Sequence, residues 1–254
     1  MKIDSMDKKR ERIQNFNDKM KIIAFGAHPD DMEFLCAGTL AKYRRAGHQV
    51  AMAVSTNGEV GSATLGKAEI AAIREREARA SAAKMGAELF WLGYPDEFLF
   101  NTAEVRLRYI EIIRQFRPDI IICPDRDADY HPDHTTTGQI IWDTHVMVTV
   151  PNIKTKTPPV EKIPEIYFMD TIAGVNFQPE FYVDITAEWE IKAAMISCHE
   201  SQEGWMISQY GVSCVEFGQI HSRFRGFQAG CKYAECFRKP KFFPGMTNPE
   251  SLLP

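Results

Sequence analysis

The chain has 254 residues, near the upper size of one domain, so it can bury a large core without disulfide or metal staples. Apolar residues make up 44% and charged residues 25% of it, ordinary values for a water-soluble globular protein. A formal net charge of −4 excludes the basic footprint of a nucleic-acid binder, and no window approaches the ~18 apolar residues of a membrane span.

Residues 1–19 are charged throughout and lack an apolar stretch fit for a signal peptide. With Ile3, Ile13 and Phe16 as weak anchors, they read as an N-terminal extension able to form an amphipathic helix. A single domain is expected over 20–254. Six scattered cysteines (Cys36, Cys123, Cys198, Cys214, Cys231, Cys236) form no CxxC pair, the pattern of reduced thiols in the cytoplasm.

From residue 20 short apolar runs alternate with helical patterns, which predicts an α/β, Rossmann-like three-layer sandwich: a mostly parallel sheet with helices on both faces. The runs Met20–Phe25, Val50–Val54, Leu89–Leu92 and Ile120–Cys123 read as strands, the last wholly apolar as a doubly covered sheet requires. Helices are expected over Met32–Ala46, stopped by Gly47, over Ala68–Met85, stopped by Gly86, and over Thr102–Phe116, stopped by Pro118. Beyond residue 123 the pattern loosens. Residues 151–164 hold four prolines and read as a loop or flap. Glu165–Met169 and Phe181–Val183 read as short strands, Glu188–Ser197 and Val212–Phe227 as helices.

In such sheets ligands bind beyond the carboxyl ends of the strands. Two loaded segments fall there: Ala27-His28-Pro29-Asp30-Asp31-Met32-Glu33 after the first strand, and Pro124 to His134 after the fourth, with Asp125, Asp127, Asp129, His131, Asp133 and His134. Catalytic zinc takes three nitrogen or oxygen ligands from the protein and keeps one position open. His28 and Asp31 are three apart, on one side of a turn, and either His131 or His134 can supply the third ligand. Asp30 is then free to act as a base. The plainer alternative makes Asp30 or Asp31 only an N-cap of the next helix. For Arg74 the plainer alternative is a solvated charge paired with Glu77 one turn on.

The segment AHPDDMEFLCAGTL, with His131-Pro132-Asp133-His134 downstream, resembles the LmbE/PIG-L-like zinc-dependent N-acetylglucosaminyl deacetylases. Similar stretches continue in order: Arg74-Glu75-Arg76-Glu77-Ala78, Leu92-Gly93-Tyr94-Pro95-Asp96, His199-Glu200-Ser201-Gln202, and Arg225-Gly226 with Tyr233-Ala234-Glu235-Cys236-Phe237. The resemblance spans about residues 20–238. It implies that His28, Asp31 and His134 hold one Zn2+ per chain, with Fe2+, Co2+ or Mn2+ as other divalent candidates. It implies Asp30 as general base, His131 as oxyanion donor or acid with Asp133 orienting its ring, and Arg74 as a substrate-binding residue. The implied reaction is removal of an N-acetyl group from a small amino-sugar substrate by a homo-oligomer, without nucleic acid or membrane. The remaining histidines His48, His145 and His221 read as structural. His199 and Arg225 can equally tie helices together. Residues 57–67, 94–101 and 151–180 are expected to wall the pocket, with Trp91, Tyr94, Phe98 and Phe100 as candidate aromatics.

Two rivals remain. A metal-dependent phosphoesterase would use the extra carboxylates Asp125, Asp127 and Asp129 as bridging ligands, and another amidase would share the fold and metal. A Rossmann nucleotide-binding module is disfavoured, because the first strand–helix turn lacks Gly-x-Gly-x-x-Gly and places two carboxylates where a pyrophosphate would sit.

Overall fold

A computed structural model describes residues 19–241. The expected extension, but for Lys19, and residues 242–254 lie outside the described residues. The apolar runs form strands β1 (Lys21–Gly26), β2 (Gln49–Thr56), β3 (Glu88–Tyr94) and β4 (Ile120–Cys123), followed by β5 (Glu165–Met169), β6 (Phe181–Asp184) and β7 (Ala234–Arg238). They make one sheet in the order β3-β2-β1-β4-β5-β7-β6. All neighbours from β3 to β5 pair in parallel, and β7 runs antiparallel to both β5 and β6. The mostly parallel sheet is therefore present.

Alternation along the strands builds two cores. Ile22 and Ala24 of β1 pack on one face with helices α1 (Asp31–Leu35), α2 (Ala37–Arg45), α3 (Lys67–Met85), α6 (Trp189–Ile196) and α8 (Cys214–Ala229). Ile23 and Phe25 face the other layer, with α4 (Ala103–Phe116) and α5 (Pro132–Thr144). The remaining helix, α7 (Glu200–Tyr210), precedes α8. Gly86 ends α3 at φ 69°, and Thr102 caps α4 by accepting from Val105 N at 3.3 Å. These are the punctuation marks visible in the sequence. Among the described residues no helix is long and apolar enough to cross a membrane.

Several elements differ from expectation, among them β7, where no strand was expected. The pattern over 32–46 is two helices, broken at Cys36 (φ −147°). The break leaves N–H groups at the start of α2, and the buried Glu235 carboxylate accepts them from Gly38 at 2.9 Å and Thr39 at 2.6 Å. Helices α5 and α7 form where no apolar period stood out; their sequences PDHTTTGQIIWDT and ESQEGWMISQY mix polar residues into every turn. The segment 151–164 is a strapped loop and no flap. The buried Arg114 donates to the carbonyls of Val148, Val150 and Ile153 at 2.8–3.0 Å and to Thr155 Oγ1 at 2.8 Å, and Glu111 accepts from Thr157.

The chain moves outward from β1 to β2 and β3, then returns to place β4 on the other side of β1. That reversal opens a crevice beyond the carboxyl ends of β1 and β4, where both loaded segments emerge.

Candidate active site

At the end of β1 the backbone is pinned before it turns. Thr56 donates to the Ala27 carbonyl through its N–H (2.8 Å) and its hydroxyl (2.9 Å). Asp30 follows at φ 113°, ψ −24°, a left-handed conformation costly for a residue with a side chain and found mostly where surrounding structure dictates it. Its carboxylate makes no cap contact with α1. Asp30 thus sits at the N-cap position, but its side chain does not cap: the carboxylate accepts from Arg74 Nη2 at 3.2 Å instead. Asp31, the first residue of α1, accepts from His28 N at 2.8 Å, which fixes its carboxylate against the His28 backbone.

The second wall begins at α5. His131 is its N-cap, with Nδ1 accepting from Asp133 N at 3.2 Å, and Pro132 sits at the first helical position. A Cβ on Gly138 would collide with the Pro124 carbonyl, so glycine lets α5 press against the end of β4. His134 is thereby driven into the crevice.

The side chains meet on the floor. His28 Nδ1 lies 3.1 Å from His134 Nε2 and 3.7 Å from Asp31 Oδ2, while His134 Nε2 lies 3.2 Å from Asp31 Oδ1. The far nitrogen of each ring faces another buried carboxylate: His28 Nε2 is 3.0 Å from Asp96 and 3.4 Å from Asp133, and His134 Nδ1 is 2.9 Å from Asp129. Two triples, His28–His131–His134 and His28–Asp96–Asp133, bring one donor atom each within 4.8 Å of one another, while Asp31 meets His28 and His134 through different oxygens. Asp133, however, already accepts from Glu97 N (2.8 Å) and Leu99 N (3.3 Å).

Two expected contacts are corrected. The Asp133 carboxylate does not orient the His131 ring. It faces His28 and the 97–99 loop, and Glu97 Oε1 stands 3.2 Å from His131 Nε2 instead. Arg74 does not pair with Glu77. It is buried at the cavity wall, where Nη2 donates to Pro29 O at 2.7 Å and to Asp30 Oδ2 at 3.2 Å, while Glu77 accepts from Ser201. Gly58, at φ +65°, leaves room for that guanidinium; a Cβ there would stand 2.6 Å from Arg74 Nη1.

The electrostatics are those of a cation site. Burial opposes charge on His134, yet Asp31 and Asp129 outweigh it and push its pKa up to about 9. His28 behaves alike: burial lowers its pKa, and Asp133, Asp31 and Asp96 carry it well above the usual value. Burial pushes Asp30 up to about 6 against the pull of Arg74 and His199. Four buried carboxylates (Asp31, Asp96, Asp129, Asp133) thus surround two imidazoles, a surplus of negative charge that a divalent cation would balance. Behind the floor, His199 Nε2 is 3.0 Å from Glu33 Oε1, which accepts from Ser81 at 2.5 Å and so ties α7's start to α1 and α3.

Above the floor opens a cavity of about 530 Å³. Its wall departs from expectation. Val60 to Ala63, Asp96, Glu97 and Ile172 contribute, but 151–164 does not, and Phe98 and Phe100 point outward at 56% and 64% exposure. Trp91 and Tyr94 pack against the two cores. The aromatic wall comes from α7 and α8, which bring Trp205, Tyr210 and Phe217. The bridging carboxylates wanted for a phosphoesterase are also absent from the floor, apart from Asp129 behind His134. Asp125 is engaged by Arg238 and Asp127 N, and Asp127 faces Arg126 and Arg238. Sequence spacing singles out neither Asp96 nor Glu97 within the expected wall 94–101, and Asp129 only as a bridging ligand of the phosphoesterase alternative. Asp96 ends a recognisable Leu-Gly-x-x-Asp stretch, whereas nothing local marks Glu97.

Known proteins share this fold. Residues 23–145 match the family model described as PIG-L, GlcNAc-PI de-N-acetylase. A diacetylchitobiose deacetylase of Thermococcus kodakarensis is 29% identical over 244 residues, which cover 91% of this chain and 86% of that one. The solved structure of N,N'-diacetylchitobiose deacetylase from Pyrococcus horikoshii superposes with a TM-score of 0.77 at 30% identity, over 88% of this chain and 84% of the other. A 4-carboxy-2-hydroxymuconate hydratase from Pseudomonas putida shares the fold, with a TM-score of 0.76 at 19% identity over 90% of this chain and 100% of that one. With about 30% identity to diacetylchitobiose deacetylases over most of both chains and the family match across residues 23–145, the chain belongs to the LmbE/PIG-L-like deacetylase family.

Proposed function

We propose that the protein is a metal-dependent hydrolase that removes the acetyl group from the nitrogen of an N-acetylglucosamine-containing substrate. The observation that carries this reading is the convergence of His28 Nδ1, Asp31 and His134 Nε2 within 3.1–3.7 Å, with Asp30 beside them on the cavity wall. Two neutral imidazoles and a carboxylate suit Zn2+, the metal we assign, and accept Fe2+ or another divalent ion as well. The outer nitrogens of both rings face carboxylates, the support that fixes a ligating histidine's tautomer and orientation.

When bound, such a cation supplies Lewis acidity, polarising the acetamide carbonyl and making water acidic enough to attack near neutral pH. The chain's own residues do the rest. Asp30, held by Arg74, takes the proton as the water oxygen bonds to the carbonyl carbon. It returns that proton to the nitrogen as the C–N bond breaks, leaving acetate and a free amine. His131, whose Nδ1 accepts from Asp133 N, carries its N–H on Nε2 and turns it from Glu97 toward the carbonyl oxygen as negative charge gathers there. Arg74 adds a cation to the substrate wall.

The test is metal content of gently purified protein, measured together with amine and acetate release from N-acetylglucosamine glycosides. About one divalent ion per chain is expected, with both metal and activity lost in His134→Ala. A protein that binds no metal, and gains no amine release when zinc is added, would remove the proposed reaction.

A further inference from the structure

The cavity has two unlike halves. Its floor is charged. Its outer half is lined by Phe34, Ile172, Trp205, Met206, Tyr210 and Phe217. Four of these form a continuous file of rings: Phe34 meets Phe217 at 5.5 Å and 81°, Phe217 meets Tyr210 at 5.8 Å, and Tyr210 meets Trp205 at 5.5 Å and 82°. Phe34 is buried, one turn along α1 from Asp31, while Trp205 and Tyr210 are each 50% exposed. The file therefore runs from the floor to the mouth. Half-exposed Trp and Tyr rings facing one cavity are costly to leave wet and mark a binding surface.

Charge narrows what can lie there. Among the described residues lining the cavity, Arg74 is the one lysine or arginine, and it is engaged with Pro29 O and Asp30 on the floor side. The other polar groups of the lining beyond the floor supply no cation either: Ser62, Tyr130, the carboxylate Glu97, and Gln202, which donates to Gly61 O. A carboxylate or phosphate on the outer part of a substrate would lose water and find no cation in return. A neutral ring with an apolar face would instead displace water from the aromatic file.

From these observations we propose that the outer half is a subsite for the group joined to the amino sugar, that it selects a neutral ring and rejects an anionic group, and that Trp205 is the residue that sets this preference. The inference rests on the deacetylase reading for its chemistry, but binding in the subsite can be read without it.

The experiment compares amine release by the metal-loaded full chain from three N-acetylglucosamine glycosides: methyl, cyclohexyl and malyl. The wild type is expected to favour them in the order cyclohexyl, methyl, malyl. Trp205→Ala is expected to shrink the cyclohexyl-to-methyl ratio of kcat/KM about tenfold, and Trp205→Phe to restore most of it. A ratio does not depend on the fraction of folded enzyme, so a poorly folding variant still reports. Calorimetry with cyclohexyl glucoside, which carries no acetamide, tests the subsite independently, and its binding should weaken by a similar factor in Trp205→Ala. An unchanged ratio with unchanged cyclohexyl glucoside binding would overturn the proposal, as would a malyl glycoside processed as well as the cyclohexyl one. Cyclohexyl glucoside binding that needs Trp205, with no amine released from any glycoside, would uphold the subsite and sink the deacetylase reading.

Discussion

The half of the molecule from β1 to α5 is framed by wholly apolar strands, whereas the half from β5 to β7 adds buried ion pairs to the same two cores. In the first, Ile22, Ile23, Ala24 and Phe25 are all fully buried, and β4 is apolar along its whole length. Burial of this kind is non-directional and tolerates small changes in shape. In the second, charged groups are buried in pairs. Lys192, with no exposed surface, donates to Glu235 at 2.6 Å and to Phe34 O at 2.8 Å. Arg225 donates twice to Asp170, at 2.6 and 2.9 Å, and His221 stands 3.0 Å from the same carboxylate. Such pairs demand one geometry, and breaking one leaves a charge stranded. The floor of the cavity belongs to the first half and the aromatic wall to the second. Chemistry is thus carried by the rigid apolar frame, while the shape of the outer pocket depends on elements docked through directional contacts.

The comparison can be broken from either side. The largest effect should come from the floor: Asp30→Ala should keep its metal yet lose about 10²–10⁴ in kcat, read as amine release at measured metal content. Full activity with metal bound would remove Asp30 as base. In the second half, Glu235→Ala strands Lys192 and leaves the Gly38 and Thr39 N–H groups without their acceptor. It should cost about 3–5 kcal/mol in denaturant unfolding, with little change in activity per folded molecule. A similar loss of activity per folded molecule would show the two halves to be coupled more tightly than their packing suggests. Asp129→Asn, behind His134, should weaken metal affinity roughly 10–100-fold while the fold stays intact, measured by competition with a chelating dye.

The smallest effect concerns pH. Burial raises the Asp170 pKa, but hydrogen bonds from His221 and Arg225 outweigh it and hold the carboxyl below its ordinary value. A depressed carboxyl stabilises the fold above its unfolded pKa of about 3.9 and loses that contribution as pH falls through the lower folded value. The stability gap between wild type and Asp170→Asn should therefore be full above about pH 5 and shrink below about pH 4, by on the order of 1 kcal/mol. A gap that stays constant down to pH 3 would deny Asp170 this role.

Legibility followed the same division. The strands Ile120–Cys123 and Glu165–Met169 stood out in the sequence with the bounds they have in the fold, because an all-apolar run between turn residues has few other readings. Helix α3 was equally plain, with an Ala-rich body ended by Gly86. Helix α7 was not, since Gly204 and a scatter of polar residues hide its period. With it went Trp205 and Tyr210, and the aromatic wall was sought in the wrong loop. Proline density marked 151–164 as a loop or flap; it is a loop, and that Arg114, some forty residues earlier in the chain, straps it down was not legible.

Local spacing alone determined that His28 and Asp31 share one side of a turn, that His134 follows a strand, and that the strands build a parallel sheet, since each depends on neighbours in sequence. The family motifs added which residues to watch. Only the tertiary structure decided that Asp133 serves His28 while Glu97 meets His131, that Arg74 reaches Asp30 and leaves Glu77 alone, and that Glu235 caps a helix nearly two hundred residues away. Those contacts join segments far apart in the chain, and a side chain's partner there is chosen by packing and buried charge, which no local pattern records.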